Sequence, residues 1–210
     1  MFDHLAARAP HESLIEGWST GLVGVDRNER LTAVTGAVLI VLLAALGVTI
    51  LSIGPLIWWH VLLGMLLIPP VLLKLGSTGW RFLRYYTRSA EYVDRGPPVL
   101  ALRLLAPLVV LSTLVVFGTG VALIVVGPAG GILVGLHKGS FIVWFFATAV
   151  HVLAHVRRLL PPARPVPGAM ARRALLVVSL AVGLVLAAAT VRYGQPWVHW
   201  FAGHHHGDDG

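Results

Sequence analysis

The chain of 210 residues is 57% hydrophobic and only 12% charged, with a mean hydropathy of +0.82, which excludes an ordinary soluble domain and describes an integral membrane protein. Its formal charge of +7 and pI near 10.8 do not point to nucleic acid, because the basic residues are spread along segments beside apolar runs, where anionic lipid headgroups supply the counter-charge. The absence of cysteine excludes thiolate-held clusters, thioether-attached cofactors and disulfides.

Residues 1–30 mix five acids with three arginines, show no catalytic pattern and read as a loosely ordered or interfacial segment. A five-helix transmembrane domain is predicted over 31–192. Its spans are about 32–53, 56–76, 104–126, 139–158 and 174–192, each long enough for a hydrocarbon core of about 30 Å at about 1.5 Å per residue. Pro69 and Pro70 predict a kink in the second span, and Pro107 falls in the first turns of the third, where proline is tolerated. The segment "GSTGWRFLRYYTRSAEYVDRGPPVLALR" between these spans reads as a solvated basic loop. The fifth span carries no polar candidate ligand and reads as an appended helix. Residues 193–210 form a tail with His199, His204, His205, His206, Asp208 and Asp209, types that bind divalent metals on what reads as a flexible polar terminus.

Basic residues favour the cytoplasmic side near span ends. Arg8, Arg27 and Arg30 precede span one, Lys74 to Arg103 lie between spans two and three, and Arg157 to Arg173 lie between spans four and five, which leaves Lys138 and Arg192 for the other side. The expected topology therefore has a cytoplasmic N-terminus and an extracytoplasmic C-terminus, in the cell (inner) membrane. Trp58, Trp59, Trp80, Tyr85, Tyr86, Tyr193, Trp197 and Trp200 fall at the two interfaces this topology defines.

The histidines inside the spans carry the chemistry. His60 stands about one turn below the outer start of span two. His137 stands at the outer mouth of span four, which runs in the same direction, so the two share a depth. His151 follows His137 by about 21 Å of helical rise, and His155 returns to nearly the meridian of His137. Two neutral imidazoles facing each other at one depth are what a six-coordinate haem iron requires. Gly47, Gly64, Gly118 and Gly120 are candidates for close approach to such a flat cofactor. His155, beside Arg157 near the inner interface, reads as structural, and His151 stands between the two readings.

These residues resemble the cytochrome b subunits of formate dehydrogenases, nickel-iron hydrogenases and bacterial cytochrome b561. The resemblance covers residues 31 to about 158. It implies a four-helix bundle holding b haems, here followed by a fifth helix, that passes electrons between a partner oxidoreductase subunit and membrane quinone. Under it His60 and His137 match the ligands of the outer haem. His151 matches the span-four ligand of an inner haem whose partner would come from the start of span one; Ala33 occupies that place. One haem is thus expected, and for His151 three roles stay open: a second haem with an unusual partner such as Lys74, a quinone pocket, or structure.

Two other classes fit parts of the pattern. A histidine-lined proton or divalent-metal transporter would also concentrate intramembrane histidines, although none of the nine acids falls in a predicted span. A structural or assembly subunit would need no ligands. The chain shows no nucleotide-binding glycine motif and no nucleophile-base constellation, so substrate chemistry is expected on another polypeptide.

Overall fold

The computed structural model describes residues 10–89, 100–155 and 168–205, with side chains described over 25–89, 103–154 and 168–203. These residues are all-helical: α1 (Pro10–Leu51), α2 (Ile53–Tyr86), α3 (Leu100–Val126), α4 (Gly131–His155), α5 (Ala169–Thr190) and α6 (Gln195–His205), with short 3-10 turns at Gly127–Ala129 and Val191–Gly194. Five stretches are long and apolar enough to cross a membrane: Val25–Leu51, Ile53–Tyr86, Arg103–Ala129, Gly131–Ala154 and Ala169–Gly203.

Helix continues well beyond the apolar windows. α1 begins at Pro10, so much of the expected loose N-terminal segment is helical, and α2 carries on to Tyr86 through the first part of the expected basic loop. Pro107 lies about two turns inside α3, among its first turns as expected. The tail is a further correction, because α6 gives its first half regular structure. His206, Asp208 and Asp209 lie outside the described residues, as do the side chains of His155, His204 and His205.

The joint between α1 and α2 is a single non-helical residue, Ser52. Its cause is Pro55, which has no N–H to return to the carbonyl four residues earlier and clashes with a continuing turn. α1 and α2 then pack antiparallel along their length. α2 stays helical through Pro69 and Pro70. Pro70 leaves the Leu66 carbonyl without its helical partner, and the backbone of Gly183 on α5 covers that carbonyl so closely that a methyl group at Gly183 would collide with it. Ser179, Gly183 and Ala187 are buried at four-residue intervals along this contact, the spacing by which small residues let membrane helices approach.

The fifth span, expected as an appended helix, is packed into the bundle. α5 is as intimate a neighbour of α2 as α1 is, which makes α2 the central helix of a three-helix group. α3 and α4 form a second antiparallel pair, tied by the Trp144 indole N–H donating to the Thr113 hydroxyl at 3.0 Å. The two groups touch lightly through α2 and α3. The turn after α5 and α6 bridge them: Gly194 packs on Val61 of α2, and the Trp197 indole donates at 3.0 Å to the Leu123 carbonyl, one of the carbonyls left over at the end of α3.

Candidate functional site

Where the two helix groups face each other, His60 of α2 and His137 of α4 meet. Their ring centres lie 6.3 Å apart with the planes at 88°. α4 itself packs along α3, and among the described residues its backbone makes no extensive contact with α2. The imidazoles therefore reach across a gap between helices.

Each ring is held through Nδ1. The Thr49 hydroxyl donates to the Leu46 carbonyl of its own helix, so its oxygen is left to accept from His60 Nδ1–H at 2.9 Å. His137 Nδ1 lies 3.0 Å from the Val116 carbonyl, which can only accept. It also lies 3.1 Å from the Thr119 hydroxyl, whose proton goes to the Val115 carbonyl at 2.7 Å. In both rings the proton is thereby fixed on Nδ1 and the lone pair on Nε2, the arrangement in which a histidine binds a metal through Nε2 while a carbonyl or hydroxyl sets its tautomer.

The spacing can be tested against a shared metal. A metal–nitrogen bond of about 2 Å and about 1.2 Å from ring nitrogen to ring centre, doubled, separate two such centres by about 6.4 Å. The observed separation of the ring centres is 6.3 Å, of that size. Among the described residues no group of three or more His, Cys, Asp or Glu side chains could hold a metal ion.

The four glycines divide. A methyl group on Gly120 would sit 3.2 Å from His137 Cε1 and 3.6 Å from Nδ1, so the ring lies on a surface only glycine provides without a shift. Methyl groups on Gly47, Gly64 and Gly118 would meet no atom within 4 Å. Their lack of a side chain serves no contact within the chain and leaves space beside the helices.

His151 is not brought to the pair; it lies 14 residues further along α4, about 21 Å by helical rise. Lys74, the unusual partner considered for it, turns elsewhere and donates from Nζ to the Thr32 carbonyl at 2.6 Å. Around it Asn28 donates to the Ser77 carbonyl at 3.0 Å, and the Thr32 and Ser77 hydroxyls bond at 2.9 Å. The neighbourhood of Ala33 is thus a polar clasp between α1 and α2. Thr49, Thr119 and the Val116 carbonyl are the members of the site that the sequence did not reveal. The only signal was a hydroxyl residue near a glycine in an apolar run, and most such hydroxyls merely bond back to their own helix.

The chain matches no family model, no curated protein and no solved structure.

Proposed function

We propose that His60 and His137 are the two axial ligands of one b-type haem, and that the chain is an electron-transfer subunit passing electrons between a partner oxidoreductase and membrane quinone. The observation that carries this reading is the histidine pair itself: two rings at the separation of a shared iron, each anchored through Nδ1 with Nε2 left to ligate. The open space beside Gly64, about one turn along α2 from His60, suits a flat ring.

A bound haem supplies one-electron redox chemistry; the chain's own groups hold it and set its surroundings. Thr49, Thr119 and the Val116 carbonyl keep both imidazoles oriented and raise their basicity. Gly120 admits the His137 ring. The apolar helices exclude water and bulk ions from the ligands. With the cluster of arginines placed in the cytoplasm, the pair lies toward the extracytoplasmic face, where a partner subunit would exchange electrons, and His151 lies deeper, in reach of a quinone.

The test is a pyridine haemochrome assay on purified protein expressed with adequate haem. The expected result is a b-type spectrum at about one haem per chain, retained in His151→Ala with slowed quinone-linked reduction. Protein without haem would sink the proposal. Half the haem lost in His151→Ala would show a second haem instead.

A further inference from the structure

Among the described side chains the acids are Asp26 and Glu29, at the end of the bundle away from the histidine pair. The lysine and arginine of the other end are Lys138 and Arg192, and each stands beside one of the two histidines. Lys138 follows His137 on α4 and is exposed. Arg192 is also exposed, in the turn Val191–Gly194. A methyl group built on Gly194 would lie 3.4 Å from the side chain of Val61, the residue after His60. Two cations, one from each group of helices, thus flank the pair at its own level.

Arg192 donates from Nη2 to the Tyr193 hydroxyl at 2.8 Å, with its guanidinium 4.8 Å from the centre of that ring. This hydrogen bond uses one of the five N–H donors of a guanidinium. A b haem brings two carboxylates of its own, the propionates, on one edge of the macrocycle. His60 stands seven residues into α2 and His137 six into α4, about 10 Å from the outer helix ends by helical rise. The inner ends lie about 27 Å away or more. Carboxylates turned inward would be buried in hydrocarbon at heavy cost. Turned outward, they reach the end where Lys138 and Arg192 stand, and ammonium and guanidinium groups bind carboxylates through charge-assisted hydrogen bonds.

We propose that Lys138 and Arg192 bind the two propionates of the haem held by His60 and His137, an assignment that rests on the haem reading above. The carboxylate edge of the macrocycle then faces the outer side of the membrane. Number and place agree, since two carboxylates meet two cations, one beside each ligand. A lipid phosphate at the same interface would engage either cation without regard to the haem.

Two measurements on the full-length protein test this. One is the rate at which haem leaves the purified holoprotein for an excess of a haem-scavenging apoprotein, followed by absorbance. Lys138→Gln/Arg192→Gln should lose haem about tenfold faster than the wild type, while Arg84→Gln/Arg88→Gln, which removes as much charge at the other end, should match the wild type. The other is binding of haem or of its dimethyl ester, whose propionates carry no charge, to protein expressed under haem limitation. The wild type should bind haem about tenfold more tightly than the ester, and Lys138→Gln/Arg192→Gln should bind the two alike. Equal affinity for haem and ester in the wild type, or unchanged haem loss in Lys138→Gln/Arg192→Gln, would overturn the assignment. A six-coordinate spectrum with neither haem nor ester would overturn the haem reading itself. Should the double variant not purify, haem against ester on the wild-type protein decides.

Discussion

At each end of the α1–α2 pair a nitrogen-bearing side chain of α2 reaches α1: His60 to Thr49 at one end, Lys74 to Thr32 at the other. The contacts look alike and differ in what they leave over. Thr49 accepts the Nδ1 proton of His60, so the imidazole keeps a lone pair on Nε2 and faces a second histidine. Lys74 donates its ammonium to a backbone carbonyl and has no lone pair to offer. On the proposed reading one end ligates, and the other is a clasp that fixes two helices.

The largest effect should come from breaking the ligating end. His60→Ala or His137→Ala removes one of the two proposed axial ligands, and each should abolish the six-coordinate spectrum or convert it to a high-spin form, read by absorbance of purified protein. A normal spectrum in either variant would mean that the pair does not hold the iron. Lys74→Met removes the clasp. It should leave the spectrum unchanged and lower stability by about 1 kcal/mol, roughly 3 °C in the melting midpoint for a chain of this size. Loss of haem in that variant would erase the distinction between the two ends. The smallest effect belongs to Thr49→Val, which keeps the shape and deletes the acceptor. Haem should stay bound, and the less basic imidazole should raise the midpoint potential by about 30 mV in a redox titration.

The five spans and the shared depth of His60 and His137 were legible because hydropathy and helical rise act along the chain. The helix ends were not. Apolar windows report where a helix is buried in lipid, whereas α1 and α2 persist through polar stretches such as "DRNER" and "GSTGWR" as long as their backbone bonds hold. The place of α5 depended on a relation between residues far apart, since Pro70 frees the Leu66 carbonyl and only a glycine, here Gly183, can come close enough to cover it. The meeting of α6 with the end of α3, marked by the Trp197 indole, is likewise a relation between residues far apart. Lys74 entered only as an unusual partner for His151 on a second haem. Its actual partner is a carbonyl, which no spacing rule reveals.

The most direct test of the central claim is the electron paramagnetic resonance spectrum of the oxidised, purified protein. Near-perpendicular imidazoles on one iron predict a single low-spin ferric species with strong g anisotropy, present in the wild type and in Lys74→Met and absent from His60→Ala and His137→Ala. No low-spin haem signal in the wild type, or one that survives both histidine substitutions, would contradict the account.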